Sequence, residues 1–341
     1  MGESVRPYPV ATIGNFDGHH IGHRALLQAV SQTARKAGGT ALALTFDPHP
    51  VKILAPHVDL RFLTGPEEKL ARFQDAGIDE VVFLEFSETF ATLSPEAFVD
   101  QVLSQGLGLK ELFVGQHFVF GHRRAGTIAD LVALGSRYGF VVHPMAPVTA
   151  SGGVVSSTRI RQLIQTGDVA QAALLLGRQY VMTGVVVPGV QRGQELGWRT
   201  ANLPVPPDRV TPADGVYAVV PGVQRGQELG WRTANLPVPP DRVTPADGVY
   251  ATVAVWNQRR YDSVAYIGTR PTFGVGERLL EVHLLDDACD LYGQQMAVEF
   301  VDLVRPDRQF SGSDTLSLQI ARDVASARTM LQKHHEVLGK R

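Results

Sequence analysis

Residues Gly14–His23 read GNFDGHHIGH, and the segments on either side of this run fix the reading of the chain's first half. Before it lies VATIG from Val10, a short apolar and β-branched strand candidate. After it, HRALLQAVSQTARKAG carries a helical period. A strand that ends in a glycine-rich turn and opens a helix presents free N–H groups and the positive end of the helix dipole to whatever binds the turn. Gly14, Gly18 and Gly22 permit close approach to the backbone. His20 and His23 are three apart on the first helical turn, so both imidazoles can face one anion. Such a pair suits charge that builds on a triphosphate during attack at its α-phosphorus. On spacing alone, a histidine-rich surface turn is the competing reading. Zinc is disfavoured, because cysteine is absent nearby and no third ligand has suitable spacing.

Outward from this run the pattern repeats. Strand candidates are TALALTF from Thr40, EVVFLEF from Glu80, ELFVG from Glu111 and FVVHP from Phe140. Between them lie PEEKLARFQDAG, PEAFVDQVLSQG and TIADLVALGSRYG, helical stretches that end in glycine, the residue best suited to a left-handed cap. Strand–helix alternation predicts a parallel sheet with helices on both faces and ligands at the carboxyl ends of the strands. Three further stretches fall at such ends. TFDPHP (Thr45–Pro50) closes the second strand, with Pro48 and Pro50 fixing a turn around His49. FVGQHFVFGHRRAG (Phe113–Gly126) combines aromatics with Arg123 and Arg124. SSTRIR (Ser156–Arg161) opens a helix, its hydroxyls able to cap it and Arg161 able to reach phosphate. Each could be a plain turn or cap, and recurrence at strand ends argues for more.

The run GNFDGHHIGH resembles the HxGH signature of the nucleotidyltransferases. With TFDPHP and SSTRIR it resembles the adenylyltransferase module of the bacterial bifunctional riboflavin kinase/FMN adenylyltransferase (FAD synthetase) family, and the likeness runs from about Val10 to about Gln332. By that resemblance His20 and His23 stabilise the ATP phosphates. Gly14, Asn15, Asp17, Ser157, Thr158 and Arg161 complete the ATP pocket, and Phe46, Pro48, His49 and His117 contact the flavin. FMN attacks through its phosphate and pyrophosphate leaves. Two positions depart from the family: His19 stands where a small apolar residue is usual, and His117 where aspartate is typical. The second change replaces a fixed negative charge with a titratable group.

Beyond SSTRIRQLIQTGDVAQAALLLGRQY, read as two short helices, the pattern turns to strands. These are YVMTGVVVPG from Tyr180, GVYATVAVW from Gly248, YDSVAYIG from Tyr261, LLEVHLLD from Leu279 and QMAVEFVDLVR from Gln295. Turn signals between them predict a small antiparallel barrel. From Ser313 to about Leu338 the helical period returns, with Leu316, Ile320 and Val324 on one stripe that packs on the barrel. TAN, GVYA, IGTRPTFG, LLEVHLLD and DLYG resemble the riboflavin kinase module. That likeness implies Mg²⁺ and ATP phosphates held by the Thr and Asn of TAN, and Glu281 as the base for the riboflavin 5′-hydroxyl. Glu281 shares a strand face with Leu279 and His283, where an acid could equally face solvent. The family's proline before TAN is arginine here, at Arg199 and Arg232, which removes a fixed φ and adds a cation.

The kinase-like half contains its own puzzle. Val186–Ala218 is identical to Val219–Ala251, a period of 33 residues (219 − 186). Solenoids need about three or more diverged units with caps, and here there are two identical ones without a helical pair. The chain therefore reads as one kinase domain with one copy looped out, at a cost of only ~0.6 kcal/mol per doubling of loop length. Copy two runs uninterrupted into Glu281, so Thr233 and Asn235 are expected in the site. The rival register uses Thr200 and Asn202.

The fold class expected is thus α/β: a doubly wound nucleotidyltransferase-like domain over residues 1–177, then a β-barrel domain with a C-terminal helix over 178–341. In a chain of 341 residues, 44% apolar and 19% charged residues describe an ordinary globular protein. A net charge of −2 argues against a nucleic-acid surface. The single cysteine, Cys289, suits a reducing compartment. The start MGESVRPYPVATIG lacks the build of a signal peptide, and no run approaches the ~18 apolar residues of a membrane span, so a cytoplasmic enzyme without membrane contacts is expected. Its expected partners are the small molecules ATP, riboflavin and FMN. An adenylyltransferase with a crippled kinase and a flavin-binding protein without turnover are the alternatives.

Overall fold

A computed structural model describes residues 6–185, 204–205, 215–219, 233–236, 245–269, 278–285, 294–308 and 313–338. By internal packing the chain divides into two units, Met1–Asp59 with Thr64–Ser157, and Leu60–Leu63 with Thr158–Arg341.

The first unit is built on five parallel strands: β1 (Pro9–Ile13), β2 (Thr40–Asp47), β3 (Glu80–Glu85), β4 (Glu111–Gly115) and β5 (Val141–Met145). Their order, β3-β2-β1-β4-β5, runs outward from β1 one way and then jumps to its other side. Helix α1 (Ile21–Ala37) follows β1; α2 (Pro50–Leu54) and α3 (Pro66–Asp75) follow β2; α4 (Glu88–Ala91) and α5 (Pro95–Phe98) follow β3; and α6 (Ile128–Tyr138) follows β4. Strand residues are apolar on both faces because each face is covered. Val10, Ala41 and Ala43 pack with Leu27, Val30, Ala34 and Phe73 of α1 and α3. Their alternating neighbours Ala11, Leu42 and Leu44 pack with Phe98, Leu103 and Leu131 on the other face. Gly38 and Gly139 end their helices with left-handed φ, as the sequence predicts, and Gly177 ends α8 in the same way. PEAFVDQVLSQG departs from the expected α-helix: after α5 it widens into a π-helix over Val99–Gly106, with Val99 and Leu103 buried. A hairpin of β6 (Thr149–Ala150) and β7 (Gly153–Val154), turning through Ser151 and Gly152, is new relative to the sequence reading.

α7 (Ser157–Gln165) and α8 (Val169–Leu176) lead into the antiparallel second unit. Its strands are β8 (Tyr180–Val185), β9 (Pro204–Val205), β10 (Gly215–Val219), β11 (Thr233–Leu236), β12 (Gly248–Trp256), β13 (Arg259–Thr269), β14 (Arg278–Leu284) and β15 (Gln295–Pro306). The main path is β11-β14-β13-β12-β15-β8, a half-barrel. The C-terminal helix α9 (Ser313–Leu338) covers it through Val324, Ala327 and Leu331, against Val249, Ala251, Val264 and Val301. The buried stripe therefore continues the predicted one by two further turns. Asp323, buried on the same stripe, is paired with Arg305 at 2.9 Å, which offsets the cost of burying both charges.

The two identical copies meet this sheet at the same rungs. β12 sets Gly248 against Ile267 and Tyr250 against Ala265, and β10 sets Gly215 and Tyr217, their equivalents one period earlier, against those same two residues. On the neighbouring strand, β11 pairs Leu236 with Leu280, while Pro204 and Val205 of copy one pair with Leu279 and Arg278.

Candidate active sites

In a doubly wound sheet the crevice opens where the strand order reverses, at the carboxyl ends of the strands on either side. Here that is between β1 and β4. The Gly14–His23 turn leaves β1 at this point, and Gln116-His117-Phe118 leaves β4 beside it. The turn is held by its neighbours. Gly14 N donates to Leu44 O at 3.0 Å, and Thr45 Oγ1 to Asn15 O at 3.4 Å. Asp17, 4% exposed, accepts from Thr64 N and Thr64 Oγ1, each at 3.1 Å. Gly18 N donates to Thr64 Oγ1 at 3.2 Å, and Ser157 Oγ donates to Asp17 O at 2.8 Å. Phe16, Gly18 and His19 all have left-handed φ, 49°, 86° and 41°. Glycine adopts this at no steric cost, whereas Phe16 and His19 are held there by buried packing against Phe73.

The two histidines do different work. His20 is the N-cap of α1: its Nδ1 accepts from His23 N at 3.2 Å. An accepting Nδ1 places the ring proton on Nε2, so that nitrogen is a donor. The sequence spacing alone, with both rings on the first turn, does not anticipate that one ring is spent as a cap. His23 stacks on His20 with centroids 3.6 Å apart and 17° between planes. Its Nδ1 is covered and has no hydrogen-bond partner among the described residues. Burial, then the nearby His20, His19 and Lys69, hold its pKa well below the ordinary histidine value. At neutral pH His23 is a neutral imidazole, a donor of an N–H rather than a cation.

Gly22 is part of the same geometry. A Cβ there would come within 3.2 Å of the His20 ring, at both Cε1 and Nδ1. Gly22→Ala is expected to displace that ring and lower the turnover of the site by up to ~10²-fold, as about 1 Å of misplacement can. Pyrophosphate release in the adenylyl transfer that the sequence resemblance leads one to expect measures it, and an unchanged rate would show that the His20 cap is dispensable.

The remaining candidates of the first site are spread over several elements. Phe46 lies near Phe86 (5.5 Å) and Phe90 (6.2 Å), edge-on. The sequence reading missed those two aromatics, which carry no motif. Pro48 follows a cis peptide after Asp47. His49 is the N-cap of α2, its Nδ1 accepting from Val51 N at 3.2 Å. His117 is exposed on the turn after β4. Thr158 and Arg161 lie on α7, where Arg161 Nε donates to the Arg61 carbonyl at 2.8 Å. Thr64 and Lys69 are the other residues missed. Lys69 Nζ donates to Thr45 Oγ1 at 2.7 Å.

In the second unit Glu281 is 5% exposed on β14, so the solvent-facing alternative for this acid does not hold. Its cross-strand partners are Asn235 on β11 and Tyr266 on β13. TAN of copy two is thus strand rather than loop, with Thr233 opposite His283. Thr200, Asn202, Arg199 and Arg232 lie outside the described residues.

Comparison with known proteins joins the two units. The family model described as FAD synthetase matches residues 4–159, and the one described as riboflavin kinase matches residues 176–221 and 218–331. The bifunctional riboflavin kinase/FMN adenylyltransferase of Escherichia coli K12 is 36% identical over 319 residues, covering 94% of this chain and 91% of that protein. This chain belongs to that family. The relatives of the same name from Pseudomonas fluorescens and Bacillus subtilis are 34% and 30% identical, covering 94% and 93% of this chain and 92% and 91% of theirs. A crystal structure described as that of a macrolide-efflux protein from Streptococcus pneumoniae superposes with a TM-score of 0.76 at 29% identity, over 94% of each chain. Among the described residues here, no helix is long and apolar enough to cross a membrane. The kinase family model matches in two stretches that share residues 218–221, at the junction of the two copies.

Proposed function

We propose that this protein phosphorylates riboflavin to FMN with ATP in its second half and joins FMN to the AMP part of a second ATP in its first half, releasing pyrophosphate. The stacked His20–His23 pair on a turn fixed at the strand-order reversal supports the adenylyltransferase reading most directly. In that reading the α1 N-terminus and the imidazole N–H groups receive the phosphate oxygens, where negative charge builds as the FMN phosphate attacks. Neutral rings suit this role, since a donor that keeps its proton needs no change of state during turnover. Phe46, Pro48, His49 and His117 are assigned to the flavin, and Asn15, Ser157, Thr158 and Arg161 to ATP. Asp17, engaged by Thr64, is assigned to holding the turn. The adenylyltransferase domain is taken as residues 1–177 and the kinase domain as 178–341.

For the kinase, Glu281 takes the proton of the riboflavin 5′-hydroxyl as its oxygen attacks the γ-phosphorus. A buried carboxylate with an amide-bearing residue as its cross-strand partner supports this role. Mg²⁺ would be held by Thr233 and Asn235, whose oxygens suit a hard cation, with ATP phosphates filling most of its shell. When bound, it neutralises the phosphate charge that otherwise repels the attacking oxygen. ATP, riboflavin and FMN are then the partners, acting as substrates.

One kinase site serves two copies of TAN, and we assign it to copy two. The ladder of Thr233–Leu236 on the Glu281 strand supports the assignment. A strand has only two hydrogen-bonding edges, and β13 already gives one to β12 and the other to β14. Copies one and two are therefore competitors for the same rungs, with described parts of both pairing β13 and β14, and we give the functional TAN to copy two. Asn235→Ala is expected to abolish riboflavin phosphorylation and Asn202→Ala to leave it intact. The reverse result assigns the site to copy one, and two half-active variants would mean that both registers are populated. Removing either copy yields one and the same single-copy sequence, which should keep full kinase activity.

A further inference from the structure

Lys69 is a cation with no direct ion-pair contact among the described residues, although Asp17 and Asp47 lie near enough to act on it. It is half-buried on α3, and its ammonium makes one hydrogen bond, to the neutral Thr45 hydroxyl at 2.7 Å. Among the described residues no carboxylate lies within ion-pair distance of it. Buried charges are ordinarily paired, because an ammonium taken out of water costs several kcal/mol unless an anion repays it. The helix that carries it is fastened to the Gly14–His23 turn at three points. Thr64, just before α3, donates to Asp17; Lys69 reaches Thr45, which in turn donates to Asn15 O; and Phe73 packs on the rings of Phe16 and His19. Lys69 is also close enough to His23 to be one of the charges that depress its pKa. A cation is thus built into the anion-facing turn with donors to spare.

We infer that Lys69 is a third phosphate-binding group of adenylyl transfer, receiving non-bridging oxygens of the α-phosphoryl group beside His20 and His23. This rests on the placement of ATP at the Gly14–His23 turn. An oxygen of the FMN phosphate forms the new bond to the α-phosphorus, and the bond from that phosphorus to the bridging oxygen breaks. Pyrophosphate leaves with the electron pair. Both imidazoles donate as neutral groups, so Lys69 supplies the full positive charge that they lack. Burial lowers its pKa to about 8, against the opposing pull of Asp17 and Asp47. The groups that face it are therefore Asp17 on the turn, Asp47 at the end of β2 and His23 on α1. Below about pH 8 the ammonium is charged and competent, and above it the free enzyme loses the charge.

The test compares Lys69→Met, Lys69→Arg and His23→Ala in the full chain, with Mg²⁺, ATP and FMN, reading pyrophosphate release. Riboflavin phosphorylation by the same preparations reports on the fold. Lys69→Met is expected to lower kcat by about 10²-fold, the loss typical of one such donor, and to change KM for ATP less. Lys69→Arg should recover most of the rate, and the kinase should be unaffected. The parent kcat/KM should fall above about pH 8, and Lys69→Met should lack that limb. The inference is overturned if Lys69→Met keeps the parent kcat and the parent alkaline limb while His23→Ala has collapsed. It is equally overturned if Lys69→Met loses both activities together, which marks a purely structural role. Should His23→Ala itself retain the parent rate, the placement of ATP fails, and not merely the part given to Lys69.

Discussion

His23→Ala is expected to lower FMN adenylylation by about 10²–10³-fold while riboflavin phosphorylation continues at the parent rate. The size follows from the proposed role of His23 as one donor to developing charge in a covered site. Its selectivity follows from the separation of the two chemistries, one on the parallel sheet of the first unit and the other on the half-barrel of the second. His23 also stacks on His20, whose Nδ1 caps α1 through the His23 main-chain N–H. That bond survives the loss of the side chain, so the helix start should persist. Separate assays of FMN and FAD formation, on a variant whose thermal melting matches the parent, measure the effect. Equal loss of both activities would contradict the assignment of separate sites.

Glu281→Gln should have the opposite selectivity. The amide keeps the volume of the buried side chain on β14 but cannot take a proton, and general-base assistance contributes typically ~10²–10⁴-fold. Phosphorylation of riboflavin should fall by about that factor, and adenylylation of supplied FMN should be unchanged. A variant that phosphorylates at the parent rate would remove Glu281 from the mechanism and leave the acid as a buried structural group.

Much of this arrangement is legible in the sequence, for reasons that differ between the halves. Runs such as Ala41–Leu44 are apolar on both faces, which a parallel sheet covered twice requires, and all five parallel strands fall where the pattern puts them. The position of the Gly14–His23 turn follows from the strand–turn–helix order alone. What the turn does with its residues does not. That His20 caps α1 depends on a backbone contact three residues on, and spacing is equally compatible with a free ring. Thr64 and Lys69 lie well beyond the turn in sequence and reach it only through the fold. The one local sign of Lys69 is that it stands four residues before Phe73, on the face that α3 buries. In the second half, sequence is silent for a different reason. Copies identical over their whole length give any local preference equally to both, so nothing local separates them. Both copies reach the Glu281 strand, copy two through Thr233–Leu236 and copy one through Pro204–Val205, so the paired Asn235 and Asn202 variants are what separate them.

The central claim is that a single chain carries flavin through both steps, and one incubation examines it. The full-length protein is mixed with riboflavin, ATP and Mg²⁺, and flavins are resolved by chromatography over time while pyrophosphate is assayed. FMN should appear first and then give way to FAD, with one pyrophosphate released for each FAD. Riboflavin that remains unchanged while supplied FMN is converted would remove the kinase from the account. Flavin that is bound but never converted would contradict it altogether.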